Sequence, residues 1–443
     1  MLFNRKTLTR LVVPILLEQA LAQTVGLADT LMVAQAGESA VSAVSLVDAV
    51  NILILYFIGA MSAGGAIVIS HAIGSKKDGL AREASKQMLW VSVLFSGFIA
   101  LVLGIFHKGI LRLIYGSIGT ELMELAQIYF LITALSFPFV AIRNAVGAAY
   151  RSYGNSKMSL NVSLITNALN VGGNAILIFG FDMGVVGAAA STFVSRAIGA
   201  VIVLILAARP QSIAHIPEMW KFKPNGKIIR RILGLGLPNG FEGSVFQLGK
   251  VLTQSLISTM GPIAIAANAT ANTLTSMLYI PGTGMSGAIT TVVGQCVGAN
   301  ENKQAKKYAF RLVAVVYGII AAMTLIMTLF LPQLVGAFNL SAESTALAKK
   351  LFIFHAIFVT TVWPTAFTLP SAFRAAGDIT YTMVLSIISM WVFRVGGSVL
   401  FAKVFDCGVM SVWYGLACDW VFRALFFGIR FFRETWLKQY KTL

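Results

Sequence analysis

Apolar residues run along the chain in twelve long stretches separated by short polar segments. They cover approximately residues 11–34, 46–73, 88–107, 122–147, 158–179 and 185–208, then 233–260, 271–298, 308–331, 348–372, 380–402 and 409–429. Each is about as long as the roughly 20 residues a helix needs to cross the hydrocarbon of a bilayer. The first stretch has a basic start (Arg5, Lys6, Arg10) and an Ala20-Leu21-Ala22 sequence that reads as a signal-peptidase site. Glu18 interrupts its apolar run, however, and the same pattern returns in mid-chain, so the stretch is read as a retained span.

The pattern repeats. A shift of 224 residues places Pro14 on Pro238, Glu18 on Glu242, Gln23 on Gln247 and Gly37 on Gly261. Met61-Ser62 then falls on Met285-Ser286, and Gly74 on Gly298. Further along the register slips by one, so that Arg151-x-x-Gly154 faces Arg374-x-x-Gly377. A unit of six helices is even, so both copies enter the membrane from the same side. The expected architecture is an all-α polytopic membrane protein with two six-helix lobes, residues 1–208 and 233–443, around a central cavity. Residues 209–232, basic and interrupted by Pro210, Pro217 and Pro224, form the linker.

Composition agrees. Hydrophobic types make up 57% of the 443 residues and charged types 12%, about half the usual share of a soluble chain. The formal net charge of +17 would suggest nucleic acid in a soluble protein. Here it sorts by side. With the N-terminus inside, 24 of the 34 Lys and Arg fall in cytoplasmic segments and 5 in outer loops. Both termini are therefore expected in the cytoplasm of a bacterial cell, with the chain in the plasma (inner) membrane and no nucleic-acid partner.

The sequence excludes most enzyme chemistry. Cys296, Cys407 and Cys418 have no CxxC spacing, and the four histidines are scattered. No metal cluster, disulfide framework, catalytic triad or dinucleotide fingerprint is implied, and no cofactor is expected. The absence of a phosphate-cradling loop argues against an ATP-driven pump, which leaves an ion gradient as the energy source.

Ionisable groups inside spans each cost about 2.5–3.5 kcal/mol at the bilayer centre, so each needs a reason. Glu18 and Asp29 are eleven residues apart, about 1,100° of helix rotation, so they lie on one stripe about 20° apart. Asp29 reads as a protonatable or cation-binding site, or else as a helix-end residue satisfied by Thr30 or loop backbone. The second copy has Thr253 in its place. Asn170 and Asn174, one turn apart, can share a cation or proton with a carboxylate, or act as interhelical glue. Glu242 and Arg394 are expected to pair with one another, with gating or substrate contact as the other reading. Glu18 has no basic partner at the position equivalent to Arg394, which is Asn170. Asp419 and Arg423, spaced i, i+4, are expected to neutralise each other. Pro138, Pro281, Pro364 and Pro370 fall inside spans, where they bend helices.

Several local patterns resemble the multidrug and toxic compound extrusion (MATE) family of the larger multidrug/oligosaccharidyl-lipid/polysaccharide (MOP) exporter group. They are Pro14-x-x-x-Glu18 followed by Gly26 to Val33, Gly234-Leu235-Gly236-Leu237-Pro238 with Glu242, and Asn170-x-x-x-Asn174 before Ile178-Phe179-Gly180. Gly184 to Ala189 and the two Arg-x-x-Gly motifs add to them. The resemblance implies an antiporter that exports small lipophilic or cationic compounds in exchange for H+ or Na+, working as a monomer. It assigns Asp29 to the coupling-ion site of the first lobe, with Asn170 beside it. Asn174 stands where many relatives carry an aspartate, which tilts the expectation toward H+. Glu242 lies one turn before the glutamate of other relatives, whose place is taken by Phe246. The rival readings are a flippase for lipid-linked sugars or peptidoglycan precursors, a membrane enzyme, and a channel.

Overall fold

A computed structural model describes residues 2–116 and 119–439, so Lys441, one of the cytoplasmic charges counted above, lies outside the described residues. Helices dominate throughout. The first six are α1 (Arg5–Ala34), α2 (Glu38–Gly74), α3 (Asp78–Tyr115), α4 (Thr120–Ser152), α5 (Ser156–Gly180) and α6 (Gly184–Ala208). The second six are α7 (Gly226–Ser258), α8 (Pro262–Leu278 continued by Ile280–Gly298), α9 (Asn302–Leu329), α10 (Ala342–Thr361 continued by Pro364–Ala375), α11 (Ile379–Lys403) and α12 (Met410–Phe432).

Among the described residues nine of these helices are by themselves long and apolar enough to cross a membrane, and α10 makes a tenth as a pair bent by 58°. Helices α7 and α8 complete the twelve. Charges dilute α7, whereas glycine and threonine dilute α8. The helices begin earlier than the apolar stretches because their polar ends are helical too: α3 starts at Asp78, ten residues before its apolar run.

The repeat is visible in the backbone. Helices α2 and α8 begin at Glu38 and Pro262 and end at Gly74 and Gly298, in each case 224 residues apart. Both are preceded by a glycine at positive φ, Gly37 at 103° and Gly261 at 91°, a conformation that a side chain opposes. Prolines mark the breaks. Pro138 opens the second half of α4, Pro281 the second half of α8, and Pro364 the segment after the bend in α10. Proline lacks the N–H for the preceding turn, and neighbouring helices accommodate the freed carbonyl.

The chain divides into two compact units, Phe3–Gly240 and the remainder from Phe241 onward with Leu2. The division falls within α7, and that helix starts at Gly226, inside the stretch read from sequence as linker. The first unit holds two buried apolar clusters. One gathers Val68, Met88, Tyr150 and Ile232, the other Val47, Phe130, Phe137 and Ala188. Helix crossings within it are very close. A Cβ at Gly64 would stand 2.6 Å from the Ile232 carbonyl oxygen and 2.7 Å from the Gly236 nitrogen, so only glycine fits.

Candidate functional site

In the first unit, α1 and α5 run side by side in matched register. Ser159 donates to both Glu18 oxygens at 2.9 Å, and Ser163 donates to one of them at 2.9 Å. Eleven residues further along each helix the pattern returns with different chemistry. Asn174 Nδ2 donates to Asp29 Oδ1 at 2.8 Å, and Asn170, with its amide turned to donate, reaches the two oxygens at 2.9 and 3.0 Å. Glu18 and Asp29 thus share one stripe of α1, as their spacing requires, and the structure brings Asp29, Asn170 and Asn174 together. Asn170 is 7% exposed and Asn174 1%, so both amides are withdrawn from lipid and water. Asn174 is the last α-helical residue before a wider π-helical turn over Ala175–Gly180, which loosens the backbone beside the carboxylate.

The structure corrects two charge assignments. Glu18 does have a basic partner: Arg151 Nη1 lies 3.8 Å from Glu18 Oε2 and donates at 2.8 Å to Ser159, which in turn donates to Glu18. Glu242 pairs with Arg374, whose Nη1 is 3.5 Å from both of its oxygens, and not with Arg394. The two pairs are copies of one device, a helix-1-type glutamate and the arginine of the Arg-x-x-Gly motif. Pairing by bundle alone failed because α7 turns Glu242 toward the cytoplasmic end of α10.

Arg394 joins the Asp419–Arg423 pair instead. Arg423 Nε lies 2.7 Å from Asp419 Oδ1, as the i, i+4 spacing predicts, and Arg394 Nη1 lies 3.6 Å from Oδ2. Ser389 also donates to Asp419. Both guanidinium groups stand over the Phe246 ring, at 5.4 and 5.2 Å. Phe246 therefore offers its negative ring face where a carboxylate is expected in other relatives. Beside this triad His355, 1% exposed, meets Tyr279 Oη at 3.1 Å and packs edge-on against Trp413 and Trp420.

Sequence reading missed Asp48 and passed over Arg196. Asp48 on α2 hydrogen-bonds Asn51 and Tyr129, and Arg196 on α6 acts on both Asp48 and Asp29 through space. The available signal was the rarity of carboxylates in spans. Asp48 escaped because the apolar run begins at residue 46, whereas α2 begins at Glu38 and places Asp48 ten residues inside it. Among the described residues no three His, Cys, Asp or Glu side chains converge on a metal-binding arrangement.

The MatE family pattern matches residues 14–176 and 238–400, two segments offset by the same 224 residues as the repeat. The transporter YisQ of Bacillus subtilis is 26% identical over 434 residues, covering 96% of this chain and 94% of YisQ. A probable multidrug resistance protein NorM of Thermotoga maritima is 25% identical over 451 residues, covering 98% and 94%. Among solved structures, an outward-facing multidrug resistance MATE transporter of the MOP superfamily shares the fold with a TM-score of 0.90 at 22% identity, covering 98% of this chain and 96% of that one. A MATE in complex with MaD3S gives 0.91 at 22% identity, covering 98% and 97%. With both halves matched by one family pattern, the chain belongs to the MATE family of MOP-superfamily transporters, a multi-pass membrane protein and not an enzyme.

Proposed function

We propose that this protein is a secondary active antiporter that exports small lipophilic or cationic compounds in exchange for H+ by alternating access. The observation that carries the reading is the Asp29 carboxylate held by Asn174 and Asn170 on the facing helix. A carboxylate with few donors in a low-dielectric bundle is poised to gain and lose a cation, because the charged form lacks bulk solvation. Neutralising it weakens the charge-assisted bonds to α5, which gives the two protonation states different packing between α1 and α5. Coupling then arises as a difference in substrate affinity between two states. The working unit is a monomer in the bacterial plasma membrane with both termini in the cytoplasm, in line with the distribution of basic residues.

Purified protein in liposomes loaded with ethidium provides the test, with a pH gradient and a Na+ gradient imposed separately. Asp29→Asn should reconstitute normally and lose export driven by the pH gradient. Undiminished gradient-driven export in that variant would overturn the site. One feature favours the flippase reading. The second unit carries Lys250, Arg394 and Arg423 within spans against Asp419, chemistry that suits an acidic headgroup. Failure of both gradients to drive ethidium export by folded protein would move the reading to lipid-linked substrates.

A further inference from the structure

The first unit contains a second carboxylate in the same polar region as Asp29, contributed by a different helix. Asp48 on α2 hydrogen-bonds Asn51 and the Tyr129 hydroxyl of α4. Asp29 and Asp48 are close enough to repel one another, and Arg196 of α6 is close enough to attract both. Arg196 nonetheless forms no ion-pair contact with either among the described residues, and its Nη1 donates at 2.8 Å to Ser136 at the break in α4. Two buried amide oxygens point to a ligand here. Asn51 Oδ1 and Asn174 Oδ1, in residues 5% and 1% exposed, accept no hydrogen bond from the described residues, although each belongs to an amide bonded to one of the carboxylates. A buried amide acceptor left unmatched costs about 1–3 kcal/mol, so this pair is poorly explained as packing.

We propose that Asp48 and Arg196 belong to the coupling-ion site, with Asp48 as its second carboxylate and Arg196 as a tethered counter-cation that sets the site to take up a single proton. The proposal rests on the antiport reading above and names what that reading leaves open. Two carboxylates and one guanidinium leave one excess negative charge in a low-dielectric bundle, and one proton removes it. Na+ needs several oxygen ligands at once, and a fixed guanidinium beside the same carboxylates competes with it by charge. A proton instead makes one O–H bond with whichever carboxylate holds it and leaves the other to face Arg196. The loss of an aspartate at position 174 is thereby offset from α2.

The charged and titratable groups facing Asp48 are Asp29 from α1, Tyr129 and Arg143 from α4, and Arg196 from α6. From α3, Tyr115 donates to the Leu46 carbonyl at 2.6 Å. The tyrosines act as neutral donors, and Arg143 adjoins Arg196 and sits between it and the Glu18–Arg151 pair.

Charge balance makes the test specific. In ethidium-loaded liposomes under a pH gradient, the external proton concentration giving half-maximal export is measured for wild type, Asp48→Asn, Arg196→Gln and the double variant. Asp48→Asn leaves Asp29 and Arg196 balanced, so it should need at least about tenfold more protons, the scale of one unit charge across a short low-dielectric gap. Arg196→Gln should shift the midpoint by a similar factor in the other direction. The double variant restores a single excess negative charge and should return to within about threefold of wild type, and Asp48→Glu should do the same. A merely structural role for these side chains would make the double variant worse than either single one, and that result would overturn the proposal. An unshifted Asp48→Asn profile, or Na+-driven export by the wild type, would overturn it too. Proton uptake by the detergent-solubilised variants on acidification, followed with an indicator dye, should show the same opposed shifts and needs no transport. Were the wild type to export nothing under either gradient, the antiport reading would fall, and the uptake series would still decide whether Asp48 and Arg196 share one proton with Asp29.

Discussion

Asp419 is fully buried between Arg423 on its own helix and Arg394 on α11, and the three groups carry one net positive charge. The consequence is an ordering of stability losses that intuition about salt bridges does not give. Asp419→Asn removes the acceptor of a 2.7 Å bond and a 3.6 Å contact together, and strands two guanidinium groups. Breaking a buried pair from one side costs roughly 3–5 kcal/mol, mostly through the charge left behind. Arg423→Gln loses the shorter contact, whose attraction at an effective dielectric of about 20 is roughly 5–6 kcal/mol before desolvation is subtracted, but Arg394 remains to face the carboxylate. Arg394→Gln loses only the longer contact and brings the cluster to neutrality, so it should cost under about 1 kcal/mol or stabilise. Unfolding of a membrane protein in detergent is often irreversible, so the assay is the inactivation half-life at fixed temperature for the three variants. The half-life should be shortest for Asp419→Asn, intermediate for Arg423→Gln and near wild type for Arg394→Gln. Equal losses for Asp419→Asn and Arg394→Gln would refute the charge argument and make the triad a set of independent packing contacts.

Other consequences are more local. Gly64→Ala should abolish recovery of folded protein from detergent extracts, because its Cβ would meet backbone atoms of α7 at 2.6 and 2.7 Å, whereas Gly59→Ala, with nothing within 4 Å, should be recovered normally. Glu242→Gln and Arg374→Gln should each shorten the thermal half-life, and a double-mutant cycle should return a coupling of about 1–3 kcal/mol, with additivity counting against the pair. The same cycle on Glu18 and Arg151 should give a smaller coupling, since their direct contact is 3.8 Å and Ser159 bridges them, and Ser159→Ala should lower it further. His355→Ala should cost about 2–4 kcal/mol by opening a cavity among Tyr279, Trp413 and Trp420, and should red-shift the tryptophan emission as water enters; an unchanged spectrum would remove the packing role.

Spans, repeat and the Glu18–Asp29 stripe could all be read from the chain because each depends on distance along one helix. Hydrocarbon thickness sets the length of apolar runs, and 3.6 residues per turn places residues eleven apart on one face. The internal pair Asp419–Arg423 was legible for the same reason. The glycines at 37 and 261 mark the repeat because positive φ excludes most other residues there. Contacts between helices were not legible. Whether Glu242 meets Arg374 or Arg394 depends on how far α7 is rotated and where α10 bends, and whether Asp48 joins Asp29 depends on α2 beginning eight residues before its apolar run. The sequence by itself determined which residues are too costly to face lipid. Only the tertiary structure decided their partners, because a charge buried in a bundle takes the nearest complement that helix packing brings within a few ångströms, and that proximity has no signature along the chain.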